Sequence, residues 1–193
     1  PAYKGNRPPP DPAYSAVMPA MRRLLKIALK IPFYERIYFE ADDVVGSLCA
    51  ELPDTYQKII CSPDKDLMQL VNDERHISQW DTGWPMFLIE RNVEDKIGVP
   101  PRAIPDLLAL MGDPVDNIPG VAGIGRKQAV NLITDFGGLD AIYTYRGELP
   151  ARTRTLLEAG RENAFLGRTL ATIKTDLNIL GETSTSNNRK DYR

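Results

Sequence analysis

Two apolar runs in this chain each end on a knot of carboxylates and then turn helical. In residues 39–48 the sequence reads FEADDVVGSL, and in residues 61–71 it reads CSPDKDLMQLV. A strand whose end carries acids at the entry to a helix is the unit of a parallel α/β sheet. In such a sheet, residues just past the carboxyl ends of the strands converge on one edge, where ligands bind. Glu40, Asp42 and Asp43 are thereby predicted to meet Asp64 and Asp66 in space. A single acid before a helix is an ordinary N-cap that suits the helix dipole. A cap needs one acid, and each of these motifs supplies several. Carboxylates crowded on one edge repel one another unless positive charge sits among them. A third acidic motif, Asp113 and Asp116 in MGDPVDNIPG, falls in a loop between helices.

The chemistry open to such a chain is narrowed by what it lacks. There is one histidine, His76, so a histidine-based triad or a histidine-rich metal site is excluded. The two cysteines, Cys49 and Cys61, have no zinc-ligand spacing and sit in apolar runs, where they are expected to be buried free thiols. Hard oxygen ligands without His or Cys select Mg²⁺ or Mn²⁺. Two such ions a few ångströms apart activate water and stabilise the leaving oxygen of a phosphodiester.

The formal charge of −2 argues weakly against a nucleic-acid partner, but its distribution reverses the argument. Residues 1–39 hold seven basic side chains (Lys4, Arg7, Arg22, Arg23, Lys26, Lys30, Arg36) against Asp11 and Glu35, a balance of +5. A basic segment beside an acid cluster suits a protein that holds phosphate and binds cations. Residues 1–15 read as a loop, and 19–31 as an amphipathic helix with Pro19 in its first turn. Arg22, Lys26 and Lys30 form one stripe on it, either a solvated face or a phosphate-facing ridge.

A strand is expected at 36–39, a helix at 41–52, a strand at 56–61, a helix at 65–71, and short strands at 75–80 and 86–89. The fold class is thus α/β, a largely parallel sheet flanked by helices. After Glu90 the pattern turns helical, with helices at 101–111, 125–135, 138–145, 150–159 and 160–174. A polar tail from residue 181 is expected to be disordered. The domains so drawn are an α/β unit over 1–90 that opens with the loop and amphipathic helix of 1–31, a helical unit over 91–180, and the tail 181–193. No apolar run reaches the ~20 residues that span a bilayer, and no signal peptide opens the chain. A cytoplasmic monomer, without a membrane partner, is expected.

Residues 117–127, NIPGVAGIGRK, have the form of a helix-hairpin-helix. Gly120, Gly123 and Gly125 surround Val121 and Ile124 ahead of a helix. Such glycines let backbone N–H groups approach phosphate at a helix N-terminus, and Arg126 and Lys127 add charge there. Placed directly after the acids, the loop joins a duplex grip to a metal site without reading bases.

The combination of YKGNR at 3–7, EADD at 40–43, SPDKD at 62–66 and GDPVDNIPGVAGIGRK at 112–127 resembles the 5′ nuclease family. That family includes bacteriophage 5′→3′ exonucleases, the 5′ nuclease domain of bacterial DNA polymerase I and eukaryotic flap endonucleases. YKGNR looks most like the phage branch. The resemblance covers roughly residues 1–175 and implies a resolvase-like nuclease core followed by a helix-three-turn-helix over 112–137. It implies that the seven acids named above surround two divalent ions. It further implies that Lys4 and Arg7 begin a helical arch that passes a 5′ single strand, with Lys4 at the scissile phosphate, and that K⁺ sits on backbone carbonyls of the hairpin. The substrates implied are 5′ ends or flaps of branched or 5′-ended duplex DNA, or RNA–DNA hybrids such as primers, in a bacterial or phage-infected cell. The family also opens with a strand bearing a metal-binding Asp and a second Asp before the arch. Neither can be placed here, and the chain begins at Pro1. The expectation is a chain lacking that part, with an open sheet edge and weak cleavage on its own. A branched-DNA-binding module without catalysis is the alternative. A Mg²⁺-dependent phosphatase on a similar sheet would leave the glycine hairpin without a purpose.

Overall fold

The computed structural model describes residues 3–183. Helix α1 (Pro12–Arg23) starts earlier than its sequence pattern suggests. Asp11 accepts the Ala13 N–H at 2.8 Å and Pro12 occupies the first turn, a stronger start signal than Pro19. Pro19 therefore lies inside the helix. The segment Leu24–Ala28 then widens into a π turn, closed by Leu29 N–H donating to the Leu24 carbonyl at 3.0 Å. Lys30 has left the helix with a φ of 51°, so the expected basic stripe stops at Lys26. No residue of α1 is buried.

The strand expected at 36–39 is a turn. Tyr38 has a φ of 71°, and the side chains of Ile37 and Tyr38 are 70% and 100% exposed. A strand forms only where a neighbouring strand satisfies its backbone, and among the described residues no strand is paired with this run. Helix α2 (Ala41–Glu51) follows, and β1 (Lys58–Cys61) comes next. The helix expected at 65–71 is a single 3-10 stretch, Asp66–Leu70. Strands β2 (Ile77–Asp81) and β3 (Met86–Leu88) complete a three-stranded sheet in the order β1-β2-β3. The β1–β2 pair is parallel and the β2–β3 hairpin antiparallel, so the sheet is mixed. Cys49 is buried, but Cys61 is exposed, because β1 alternates its faces and Cys61 falls on the open one. A groove of about 630 Å³, lined by Val45, Leu48, Leu52, Ile59 and Leu67 among others, runs between α2 and β1.

The remainder is helical: α3 (Glu90–Ile97), α4 (Ile104–Met111), α5 (Arg126–Phe136), α6 (Leu139–Thr144), α7 (Ala151–Ala159), α8 (Arg161–Ala171) and α9 (Ile179–Thr183). Residues 181–183 are thus helical where a disordered tail was expected, and the rest of that tail lies outside the described residues. Helix α8 also ends at Ala171 rather than at residue 174. The main core is built from the helical half, with Leu107, Leu110, Leu139, Ile142 and Leu157 essentially solvent-free. Gly167 lets α8 lie against α4; a Cβ there would stand 3.3 Å from Ala109 Cα. No described helix is long and apolar enough to cross a membrane.

Helix α2 is held along its length. At its N-terminal end Asp43 accepts the Lys174 N–H at 2.9 Å, and at the far end Glu51 accepts the N–H groups of Ile179 and Leu180. The buried Lys58 ammonium reaches three acceptors: the Cys49 and Leu52 carbonyls, both at 3.1 Å, and Asp54 at 2.8 Å. Arg75 adds a bond to the Ala50 carbonyl. Two cations therefore satisfy the last turn of the helix whose first turn bears the acids, as the helix dipole favours at both ends.

Candidate metal and phosphate site

Acids from three motifs meet Lys4 in a cleft of about 30 Å³ whose lining includes Lys4, Glu40, Asp42, Asp43, Asp66 and Asp116. Each acid arrives by a distinct local device. Glu40 is the N-cap of α2, and its N–H donates to Asp43 Oδ2 at 3.2 Å, so Asp43 is a capping residue as well as a member of the cluster. Asp64 accepts the Asp66 N–H at 3.0 Å and so starts the 3-10 stretch. The buried Gln79 holds that corner from β2, donating to the Ser62 and Asp64 carbonyls, both at 2.8 Å. Asp113 and Asp116 sit in a loop closed on itself by paired backbone bonds between Asp113 and Ile118.

The electrostatics divide the cleft. Burial pushes Asp66 up to about 6, and the Asp64 carboxylate adds to the rise. Burial, followed by the same Asp64 charge, also raises Asp42. On the other side, Lys65 donates to Asp113 Oδ2 at 2.6 Å, while Lys4 donates to Glu40 at 2.5 Å and stands 3.7 Å from Asp116. Arg7 pairs with the remaining oxygen of Asp116. Burial lowers the Lys4 ammonium, and the bonds to Glu40 and Tyr3 more than reverse that, leaving it raised.

Among the described residues, no three such side chains already stand at coordinating distance of one point. The donor set nonetheless fits a hard divalent ion. It is all oxygen, it is crowded, and Asp66 Oδ1 is buried with no hydrogen-bond partner. A buried unpaired carboxylate oxygen is costly, and a cation is its natural partner.

The hairpin brings Gly120, Gly123, Gly125, Arg126 and Lys127 together between α4 and α5. Gly120 has a φ of 63°, and a Cβ there would stand 2.4 Å from Gly112 N, so only glycine fits. Gly123, with a φ of 86°, packs on Leu156 of α7. A Cβ on Gly125 would meet nothing within 4 Å, which leaves the space before the first turn of α5 open. Lys127 is exposed there. Arg126 is committed elsewhere, donating to the Ile97 carbonyl at 2.7 Å at the C-terminal end of α3. Arg22 and Lys26 stand away from the cleft, stacked on Phe33, with Arg22 also paired to Glu35.

Sequence reasoning passed over Lys65 as a partner of Asp113, Asn6, which donates to the Pro114 carbonyl at 2.8 Å, and Gln79. The lysine inside DKD was a usable signal. The other two act across the fold and leave no local pattern.

Comparison with known proteins covers residues 1–191. Residues 1–98 match the model of the 5′-3′ exonuclease N-terminal resolvase-like domain, and residues 99–191 match that of the 5′-3′ exonuclease C-terminal SAM fold. A 5′-3′ exonuclease of Buchnera aphidicola is 39% identical over 186 residues, which is 92% of this chain and 60% of that protein. The flap endonuclease Xni of Cronobacter sakazakii is 37% identical over 94% of this chain and 71% of its own length. Against the DNA polymerase I of Caldicellulosiruptor bescii the chain spans 21% of the length. Among solved structures, the D15 protein of bacteriophage T5 co-crystallised with metal ions superposes with a TM-score of 0.71 at 26% identity, covering 93% of this chain and 69% of that one. Both halves of the chain match in the order of that family's two domains, and the chain belongs to the 5′-3′ exonuclease family.

Proposed function

We propose that this chain carries the metal site and duplex grip of a structure-specific 5′ nuclease, which hydrolyses phosphodiester bonds at 5′ ends or flaps of DNA. The observation that carries this reading is the convergence of acids from three separate motifs with Lys4 in one cleft, beside a glycine hairpin open to phosphate. Glu40, Asp42, Asp43, Asp64, Asp66, Asp113 and Asp116 would hold two Mg²⁺ or Mn²⁺ ions, directly or through water. Bound there, such ions supply water activation and stabilisation of the leaving oxygen.

The chain's own groups do the rest. Lys4 presents an ammonium at the mouth of the cleft, where a phosphate that has lost its water gains most from positive charge. Arg7 offers a second cation one turn of backbone away. The N–H groups before α5, with Lys127, hold the duplex backbone without reading bases, and carbonyls of the same loop offer a seat for K⁺. Arg22 and Lys26 on the arch attract the single strand. Backbone recognition of this kind also admits an RNA–DNA hybrid, and a monomer suffices for it.

The test uses end-labelled 5′-flap and recessed duplex DNA. Short 5′ products should appear with Mg²⁺ or Mn²⁺ and disappear with EDTA or in Asp66→Asn, while fluorescence anisotropy shows that the variant still binds the flap. Equal cleavage by the variant would remove the acid cleft from the chemistry. Metal-independent binding without any cleavage would leave a DNA-binding module.

A further inference from the structure

Residues 4–7 are fastened to the hairpin loop by backbone as well as by charge. Lys4 N–H donates to the Asp116 carbonyl at 3.0 Å, and Asn6 Nδ2 donates to the Pro114 carbonyl at 2.8 Å. The Lys4 ammonium lies on Glu40, and Arg7 lies on Asp116. These two carboxylates are also members of the set that would hold metal, so each carries two competing claims.

We propose that this fastening is a latch opened by divalent cations: Lys4 and Arg7 compete with metal for Glu40 and Asp116, and filling those carboxylates frees residues 4–7 from the hairpin loop. The inference rests on the metal-site reading given above. Its physics is exclusion. An ammonium at 2.5 Å occupies the Glu40 oxygen that an ion would coordinate, and a dication beside it repels Lys4 and Arg7 at short range. Two ligands that exclude one another are coupled reciprocally: whatever factor metal takes from the docking of residues 4–7, those residues take from metal affinity. Lys4 would then be released to a phosphate only where metal is present, which orders the assembly of the site. Asn6 touches neither acid and acts purely as a tether, so it separates docking from charge.

Calorimetric titration of Mn²⁺ into the DNA-free wild type and Lys4→Met tests this, with circular dichroism confirming that both fold. The variant without Lys4 should bind Mn²⁺ about fivefold or more tightly. In the wild type, tryptic cleavage after Lys4 should accelerate as Mn²⁺ is added, while cleavage after Lys127 stays constant. Asn6→Ala should show the fast Lys4 cleavage already without Mn²⁺. Unchanged or weaker Mn²⁺ binding by Lys4→Met, or Lys4 cleavage indifferent to Mn²⁺, overturns the latch and leaves the metal site standing. Failure of the wild type and Lys4→Met alike to bind Mn²⁺ overturns both.

Discussion

Asp113 and Asp116, on the hairpin side of the cleft, each carry a basic side chain, whereas no described ion pair reaches Asp42, Asp64 or Asp66 on the sheet side. Asp113 is 2% exposed, and both of its oxygens are engaged, by Lys65 and by the Val115 N–H. It behaves as a piece of structure. Asp66 is partly buried, has one oxygen with no partner and is pushed up to about 6 by burial and by Asp64. The fold holds it in place against its own charge, the usual mark of a group kept for a ligand rather than for stability. Similar acids, distant in sequence and brought close by the fold, thus do opposite things to the folded state.

The largest expected effect tests that opposition directly. Asp113→Ala removes a buried acceptor and strands the loop N–H and Lys65. It should cost about 3 kcal/mol, lowering the melting temperature by roughly 6–12 °C in a thermal circular dichroism scan. Asp66→Asn should move the melting temperature the other way. Because the folded-state value of Asp66 is raised above its ordinary one, ionisation opposes folding. That penalty is absent below about pH 4 and complete above pH 6. In EDTA, the variant should therefore melt higher than wild type at pH 8, and the gain should fade as pH drops through 6 toward 4. A gain independent of pH would break the comparison.

Smaller effects sharpen it. Lys65 is half exposed, so Lys65→Met should cost only about 1 kcal/mol, with high salt shrinking the difference in the same melts. Asp64→Asn should weaken Mn²⁺ binding in calorimetry while barely changing stability; equal affinity in both proteins would take Asp64 out of the site. Outside both halves, Lys127→Ala should leave the melt alone and lower the slope of log affinity for duplex DNA against log salt by about 0.9. Arg126→Ala should instead lower the melting temperature, since its guanidinium is spent on the end of α3.

The parts of the fold that were legible are those written in short sequence distance. EADD marks the start of α2, DKD follows β1 into a short 3-10 turn, and the glycines mark the hairpin, whereas Asp11-Pro12, an equally local signal, was passed over when the first helix was expected to begin at residue 19. What was not legible depends on partners far along the chain. Whether 36–39 pairs as a strand is decided by a neighbour that the run itself does not name. Cys61 looked buried because its run is apolar, yet only the placement of the sheet says which face is covered. Lys65 and Asp113 are 48 residues apart, and Lys4 and Glu40 are 36 apart, so no spacing rule could have joined them. The identity of the acids was therefore readable and their division of labour was not. Arg126 shows the same limit: its position beside the glycines suggested phosphate, and the carbonyls it meets belong to a helix thirty residues earlier.

Gly112 and Gly120 lie backbone against backbone, and the loop between them is pinned across by Asp113 and Ile118 and by Val121 N–H on the Leu110 carbonyl at 2.8 Å. The stretch that carries the last two acids is consequently a closed eyelet, with no slack to lengthen or turn, and the grip on double strand begins at its rim. Under the proposed function, distance along a nucleic acid would be measured from its paired portion: the eyelet sets how many nucleotides lie between the held duplex and the cut, whatever the length of the free 5′ end.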